Sequence, residues 1–240
     1  LAAHWATLHV AFTGWRRLDG FLRATGGPVE PVAAEIGGAL SVRGLIVVPQ
    51  GRREAVLRLN GFAVAPGTAL GVIGTGGAGK SLFARVLAGS VPPSAGTLRL
   101  GELPLARVPI KEIGYLPQRF TLLPGTLAEA ISRHDPEATQ EKIEAAARMA
   151  GVHTAILALP DGYRTSTEPE VAHLPGGMMQ RIGLARAYYN DPSLVILDEP
   201  AAGMDPRARI ELRLLLKELQ KLGKTIIISS HILTELSDMC

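Results

Sequence analysis

The sequence predicts an α/β protein built on a mostly parallel sheet, and three observations carry this prediction. After Lys80 the chain alternates between helical and strand patterns, as in a parallel sheet covered by helices. Before Lys80, short β-prone runs are separated by turn signals. A glycine-rich loop joins the apolar run that ends at Ile73 to the helix that follows.

Residues 1–25 predict an amphipathic helix, because apolar residues recur every three or four positions at Leu1, Trp5, Leu8, Phe12, Trp15 and Leu22. The helix either packs on the protein's own core or forms the cytoplasmic end of a last membrane helix whose upstream part is missing. The periodicity does not separate these alternatives. Residues 26–38 contain Gly26, Gly27, Pro28 and Pro31, which indicates a linker, and a new domain is expected from Ala39.

The remaining elements follow from local patterns. Strands are predicted at 45–48, 62–64, 69–73, 97–100, 113–116, 194–197 and 225–228, with turns at Pro49-Gln50-Gly51, Asn60-Gly61 and Pro66-Gly67. A helix is predicted at 81–88. Between 119 and 176 the chain is rich in helix formers, with short helices predicted at 126–132, 136–150 and 153–159. This stretch is expected to be a helical insertion in the α/β core.

Composition limits the partners and the compartment. The 240 residues carry 25 Lys+Arg against 22 Asp+Glu, a net charge of +3, and the basic residues are scattered. Only 5% of residues are aromatic, so a nucleic-acid partner is not expected. The lone Cys240 cannot close an intrachain disulfide, which makes a reducing compartment the default. No apolar stretch reaches the roughly 18 residues that a membrane span needs.

The glycine-rich loop has the pattern of a phosphate-binding loop, G-x-x-x-x-G-K-S, between a strand and a helix. Backbone N–H groups of such a loop point inward and form a nest for anions at a helix N-terminus. Lys80 is expected to reach the β- and γ-phosphates, and the Ser81 hydroxyl to bind Mg²⁺. The candidate nucleotide-binding residues are Gly74, Thr75, Gly76, Gly77, Ala78, Gly79, Lys80, Ser81 and Leu82.

Two adjacent carboxylates, Asp198 and Glu199, end the apolar run 194–197. A continuous apolar run predicts a strand buried on both faces, and ligands bind at the carboxyl ends of such strands. Consecutive strand residues point in opposite directions, so the two carboxylates are expected to have different roles. Asp198 suits the Mg²⁺ site, and Glu199 suits a general base for the attacking water. The alternative role for the pair is an acidic helix cap.

Taken in order, these motifs resemble those of the ATP-binding-cassette (ABC) ATPases. Beyond the phosphate-binding loop and the Asp198-Glu199 pair, the resemblance includes Tyr115-Leu116-Pro117-Gln118 (Gln loop), residues 174–178 with the helix to Ala187 (signature), Ala202-Gly203-Met204-Asp205 (D-loop) and Ser229-Ser230-His231 (switch histidine). It covers residues 39–240. It implies a P-loop NTPase core with a mostly parallel sheet, an antiparallel β subdomain, and 119–176 as the inserted helical subdomain.

Further roles come from the resemblance alone. It implies that Gln118 senses Mg²⁺ and the attacking water, and that His231 contacts the γ-phosphate and orients Glu199. It places Pro175, Gly176, Gly177 and Asp205 at the nucleotide of a partner in a head-to-tail homodimer. Val48 stands where family members stack an aromatic residue on adenine.

The chain departs from the family pattern at several positions. Pro175 replaces the signature Ser, Met178 replaces its Gln, and Val48 is not aromatic. The acidic loop that exporters place before the signature has become Glu168-Pro169-Glu170-Val171. The first part resembles type I protein-secretion exporters, whereas 198–236 resembles ATPases with separately encoded permeases, which suggests a chimaeric origin. The chain ends at Cys240, earlier than most family domains, so the domain is expected to be C-terminally truncated.

The leading functional expectation is ATP hydrolysis coupled to export at the cytoplasmic face of a bacterial inner membrane. It implies ATP and Mg²⁺ as cofactors and a membrane permease domain, fused upstream or a separate subunit. The alternative is a nucleotide-binding module with little turnover, because Pro175 and the short C-terminus hinder dimer closure. A third hypothesis, a soluble cassette protein for DNA repair or translation, is disfavoured by the amphipathic first segment.

Overall fold

The computed structural model describes residues 38–49, 51–168, 174–202, 204 and 206–231. These belong to one compact unit of the chain, Ala34–Cys240. The predicted helix 1–25, all of the predicted linker except Gly38, and residues 232–240 lie outside the described residues. None of the helices in the described part is long and apolar enough to cross a bilayer.

The described elements alternate along the chain as the α/β prediction requires. The strands are β1 (Leu40–Val47), β2 (Leu57–Val64), β3 (Ala69–Ile73), β4 (Ala95–Leu100), β5 (Leu103–Pro104), β6 (Ile113–Leu116), β7 (Leu194–Asp198) and β8 (Thr225–Ser230). The helices are α1 (Lys80–Leu87), α2 (Leu127–Ser132), α3 (Gln140–Met149), α4 (His153–Leu157), α5 (Gly176–Tyr188) and α6 (Pro206–Lys221).

The strands form two four-stranded sheets. One is antiparallel, in the order β2-β1-β4-β5, and the other is parallel, in the order β3-β8-β7-β6. The predicted α/β fold with a parallel sheet is therefore confirmed. Sequence reasoning had no pattern for the two-residue strand β5, which is too short to give a periodic signal.

The two central strands of the parallel sheet, β7 and β8, are buried on both faces, as the apolar run of β7 predicts. Every residue of β7 and β8 is buried. Leu194 and Ile196 pack with α1 and the antiparallel sheet, whereas Val195 and Leu197 pack with the helices beyond β6. Alternate residues of one strand thus serve two hydrophobic cores, and the even-numbered face of β7 is the one turned toward α1.

One predicted turn is wrong. Asn60-Gly61 lies in the middle of β2, where Gly61 is the partner of Arg43 on β1. A side chain at Gly61 would place its Cβ 2.8 Å from the Val42 carbonyl oxygen, and the residue has φ +155°. The glycine therefore permits the close approach of β1 and does not break the strand. β1 and β2 each begin five residues before their predicted starts. In the sequence, a Gly inside a strand resembles the end of a strand, and this shifted both predictions.

The stretch 119–176 contains the three predicted short helices, with shifted ends. The Thr126 hydroxyl accepts a hydrogen bond from the Glu129 N–H and caps α2, so that helix starts one residue later than predicted. The start of α3 is at Gln140 and not at Pro136, because Thr139 is the residue that caps it. Local hydrogen bonds at Ser, Thr and Asp set such ends more sharply than periodicity does.

Candidate functional site

Four loops meet at one edge of the parallel sheet. The phosphate-binding loop follows β3, His231 follows β8, Asp198 ends β7 with Glu199 next, and Gln118 lies two residues beyond β6. Parallel strands present their carboxyl ends at the same edge, so residues as far apart as Ile73 and Ser230 become neighbours. This arrangement explains why motifs that are far apart in sequence share one site.

A residue with a left-handed backbone conformation joins the phosphate-binding loop to α1. Gly79 has φ +93° and is the N-cap of α1, and Phe83 N–H donates to its carbonyl at 2.8 Å. The positions where Gly76 and Gly77 would carry a Cβ have no heavy atom within 4 Å. Both glycines are exposed, so this part of the loop leaves room for the predicted anion.

Lys80 lies under this loop. Its side chain is 8% exposed, and its Nζ donates to the carbonyl oxygens of Gly74 at 2.8 Å and Thr75 at 3.2 Å. The same ammonium lies 3.6 Å from Glu199 Oε1. Backbone carbonyls and one carboxylate thus hold this ammonium inside the loop, where phosphate oxygens are stronger acceptors than carbonyls.

The Glu199 carboxylate is the meeting point of the candidate catalytic residues. Oε2 accepts hydrogen bonds from His231 Nδ1 at 3.0 Å and from Gln118 Nε2 at 3.4 Å, and Lys80 is the cationic neighbour of Oε1. The Glu199 side chain is 13% exposed, whereas that of His231 is 53% exposed. The structure therefore brings together the four residues predicted as catalytic, and leaves His231 open toward solvent.

Asp198 differs from Glu199 in burial and in partner. It is 1% exposed, and its Oδ1 accepts a hydrogen bond of 2.5 Å from the Ser229 hydroxyl. Burial, and secondarily the negative charge of Asp198, raise the pKa of Tyr115 to about 12. Tyr115 thus stays a neutral neighbour of this carboxylate at physiological pH. The two adjacent carboxylates have the different surroundings that their strand position predicts.

The predicted Mg²⁺ ligands are Ser81, Gln118 and Asp198. Ser81 stands at the second residue of α1, and Asp198 is a buried carboxylate at the end of β7. Within the described residues no group of three or more His, Cys, Asp or Glu side chains could hold a metal ion. A hydroxyl, a carboxylate and the Gln118 amide offer hard oxygen ligands, which suit Mg²⁺ once substrate phosphates complete its shell. The residues present therefore fit this ion.

Val48 lies just beyond β1. It is half-buried, and its N–H donates to the Ser94 hydroxyl at 2.9 Å. The other arm of the same hairpin reaches Gly79, because a Cβ at that glycine would lie 3.5 Å from the Val56 carbonyl oxygen. The hairpin that carries Val48 therefore borders the loop where the predicted phosphates bind.

The predicted signature segment begins α5. Pro175 is the N-cap of α5, with φ −56° and ψ 143°, and its carbonyl accepts from the N–H groups of Met178 and Met179. Gly176 and Gly177 are exposed, and their Cβ positions have no heavy atom within 4 Å. Asp205, Gly203 and residues 169–173 lie outside the described residues.

Comparison with known proteins identifies the family. The family model for "ABC transporter" matches residues 58–202, more than half of the chain. The chain belongs to the ABC transporter family. This match spans the phosphate-binding loop, Gln118, the signature segment and the Asp198-Glu199 pair.

This chain is similar to ABC proteins of several kinds, among them two proteins and one solved structure. The type I secretion system ATP-binding protein PrsD of Rhizobium meliloti is 36% identical over 233 residues, covering 95% of this chain and 40% of the relative. The Nod factor export ATP-binding protein I of Rhizobium etli is 37% identical over 194 residues, covering 78% of this chain and 59% of the relative. A solved bacterial Atm1-family ABC exporter with ATP bound has a TM-score of 0.77 and 25% identity, covering 88% of this chain and 38% of that chain.

These matches confirm the predicted ABC family, its α/β fold, and the assignment as an ATP-binding ATPase domain of the kind found in exporters. The chain spans between about two fifths and three fifths of the length of these relatives. A match over 95% of the chain must also extend into the first 37 residues. The first part of this ABC chain therefore has a counterpart in the secretion protein.

Sequence reasoning gave no role to Ser229, although it lies in the switch segment. The signal is its register: Ser229 on β8 is the partner of Asp198 on β7. Ser229 follows a run of Ile residues on β8, and the neighbouring strand β7 ends in the Asp198 carboxylate. The pattern of either strand alone does not reveal this contact.

Proposed function

We propose that this chain is the ATP-hydrolysing part of an exporter, in which ATP turnover drives movement of a substrate across a membrane. The observation that carries the proposal is the Glu199 carboxylate, which His231, Gln118 and Lys80 contact at the edge of the sheet where the phosphate-binding loop lies. The names of the relatives, which are exporters and secretion proteins, support the transport step.

The reaction is phosphoryl transfer to water. A bond forms between the water oxygen and the γ-phosphorus, the bond from that phosphorus to the β–γ bridging oxygen breaks, and the proton of the water passes to the Glu199 carboxylate. His231 holds Glu199 in place through Nδ1, and its exposed ring is available to the γ-phosphate. When bound, Mg²⁺ neutralises phosphate charge, and Ser81, Gln118 and Asp198 are the residues that would hold it.

Lys80 and the loop bind the substrate before the chemical step. Lys80 Nζ is already desolvated and aimed at the loop carbonyls, so transfer of its hydrogen bonds to phosphate oxygens requires little reorganisation. The exposed loop residues Gly76 and Gly77 supply further backbone N–H donors. Val48 is the proposed contact of the adenine ring.

The assembly is the second part of the proposal. Each ATP lies between the phosphate-binding loop of one chain and Pro175, Gly176 and Gly177 of a second chain in a head-to-tail homodimer, with Asp205 acting across the interface. Residues 39–240 form the ATPase domain with 119–176 as its helical subdomain, and residues 26–38 form the linker. In this proposal residues 1–25 form the cytoplasmic end of a last membrane helix, and the match to the secretion protein, which extends into this segment, supports a shared first part. The domain then works at the cytoplasmic face of a bacterial inner membrane, with its permease fused upstream or as a separate subunit.

A second function, nucleotide binding with little turnover, is favoured by one observation. Pro175 caps α5 with neither a side-chain hydroxyl nor an N–H. In this case the chain binds ATP and does not close into a productive dimer.

Steady-state phosphate release separates the two functions. The purified chain should release phosphate from ATP only with Mg²⁺ present, and Lys80→Ala should abolish both ATP binding and release. ATP binding without phosphate release, even at the highest protein concentration that can be reached, would instead establish the binding module.

A further inference from the structure

The Ser229 hydroxyl lies between the two adjacent carboxylate residues of the site. It donates to Asp198 Oδ1 at 2.5 Å and accepts from the Glu199 backbone N–H at 3.0 Å. The Glu199 N–H also donates to the Ser229 carbonyl oxygen at 3.1 Å. One serine therefore binds the side chain of Asp198 and the backbone of the residue that follows it.

The register of the parallel sheet creates this contact. Asp198 and Ser229 are partners on neighbouring strands, so both side chains point to the face that carries Ile196 and Ile227 and packs against α1. Ser229 is 3% exposed and Asp198 is 1% exposed. A hydrogen bond to a buried carboxylate is charge-assisted, and water does not compete for it.

The backbone of Glu199 requires a restraint of this kind. It has φ +51°, in the left-handed region that residues with a Cβ disfavour. The turn at this residue directs the carboxylate toward His231, Gln118 and Lys80. The Glu199 N–H donates to both the hydroxyl and the carbonyl oxygen of Ser229, and these two hydrogen bonds hold the backbone nitrogen of Glu199 in place.

We propose that Ser229 is a positioning residue for ATP hydrolysis. Its hydroxyl uses the buried Asp198 carboxylate as an anchor and holds the strained backbone of Glu199, so that the Glu199 carboxylate stays at the attacking water. The inference rests on the proposed function, in which Glu199 is the general base. Because Ser229 acts through Glu199, its loss should slow the chemical step and leave binding of ATP nearly unchanged.

The test compares Ser229→Ala and Ser229→Thr in the full chain, with Thr225→Val as the matched control. Thr225 is a buried hydroxyl residue on the same strand, at the opposite end from the site, and Val keeps its shape. We expect Ser229→Ala to lower kcat roughly ten- to a hundredfold, as for loss of a hydrogen bond to a charged group, with ATP affinity within about threefold of the parent. Ser229→Thr restores a hydroxyl and should recover most of the rate, and Thr225→Val should match the parent.

A double-mutant cycle with Glu199→Gln separates positioning from general support of the fold. If Ser229 works through the base, Ser229→Ala should slow single-turnover hydrolysis in the parent but change it less than about threefold in the Glu199→Gln background. The same fold-loss in both backgrounds, a parallel loss of ATP affinity, or a Thr variant as slow as the Ala variant would overturn the proposal. Failure of the proposed function has a different result, because the parent chain itself would then release no phosphate, and failure of the base assignment would leave Glu199→Gln at the parent rate.

Discussion

The Glu199 carboxylate accepts a 3.0 Å hydrogen bond from His231 Nδ1, although 32 positions separate the two residues. They meet because β7 and β8 are parallel neighbours, and each residue follows the carboxyl end of its strand. The carboxylate fixes the histidine tautomer with a proton on Nδ1, since a carboxylate can only accept. The opposite ring nitrogen, Nε2, is then the ring atom that remains for the proposed contact with the γ-phosphate.

Replacing Glu199 with Gln should separate hydrolysis from binding. The amide keeps the shape of the side chain and removes the base, so turnover should fall by roughly 10² to 10⁴ with nucleotide affinity nearly unchanged. Steady-state phosphate release and titration with a fluorescent ATP analogue measure the two quantities. Glu211→Gln, a change of the same kind at the Arg181 ion pair away from the loop, is the control and should turn over as the parent does. Parental turnover in Glu199→Gln would show that another group is the base.

Adenine should be held loosely, because Val48 has no aromatic face to stack on the base. ATP and GTP should therefore bind with similar affinities. Val48→Tyr should tighten ATP by roughly 0.5 to 1.5 kcal/mol if the side chain faces the ring. Val91→Tyr adds the same side chain to the segment that follows α1 and should leave ATP affinity unchanged. Equal affinities in the parent and Val48→Tyr would place adenine elsewhere.

Pro175 should weaken the closed dimer and leave nucleotide binding to the single chain intact. A serine at this position would offer a hydroxyl to the partner's γ-phosphate, and one charge-assisted hydrogen bond corresponds to roughly ten- to a hundredfold at each of the two symmetric sites. Turnover of the parent should therefore be low and steeply dependent on protein concentration.

In a Glu199→Gln background, Pro175→Ser should increase the ATP-dependent dimer seen by size-exclusion chromatography. Pro175→Ala lacks the hydroxyl and controls for the change in helix start. If the dimer fraction is the same with Pro, Ala and Ser at this position, Pro175 has no role in dimer closure and serves only as the start of α5.

Tyr188 should respond to loss of its hydroxyl in the opposite way from Tyr163. The Tyr188 hydroxyl is buried and has no hydrogen-bond partner within the described part of the chain, whereas the Tyr163 hydroxyl bonds His153 Nδ1 at 2.8 Å. Tyr188→Phe should raise the free energy of unfolding by up to about 1 kcal/mol, and Tyr163→Phe should lower it by about 1 kcal/mol. Urea denaturation measures both, and equal destabilisation by the two variants would contradict the assignment.

The same tyrosine predicts a pH dependence. Burial raises the pKa of Tyr188 in the folded protein, so above about pH 10 the unfolded chain loses this proton first. The protonated Tyr188 hydroxyl therefore makes its full contribution to the free energy of unfolding below about pH 10, and this contribution is lost as the pH rises further. Stability of the parent should therefore fall more steeply between pH 10 and pH 12 than that of Tyr188→Phe, which has no proton to lose there.

Sequence reasoning succeeded where short-range rules determine the result. The apolar run of β7 predicts burial on both faces, and the strand and helix patterns on either side of the glycine-rich loop predict β3 and α1, because these patterns depend on residues adjacent in the chain. It failed at Asn60-Gly61, where the identity of the neighbouring strand decides the conformation of the glycine. The ends of α2 and α3 depend on caps that compete locally with the helical pattern.

The amino-acid sequence by itself determined the order of the motifs, the residue types they contain and the α/β alternation that carries them. Only the tertiary structure decided which of these residues touch. The register of β7 with β8 pairs Asp198 with Ser229, and the left-handed turn at Glu199 directs its carboxylate to His231 and Gln118. The strand register and the backbone turn both depend on the packing of strands that are distant along the chain. A pattern of neighbouring residues therefore does not predict the hydrogen bonds between these strands.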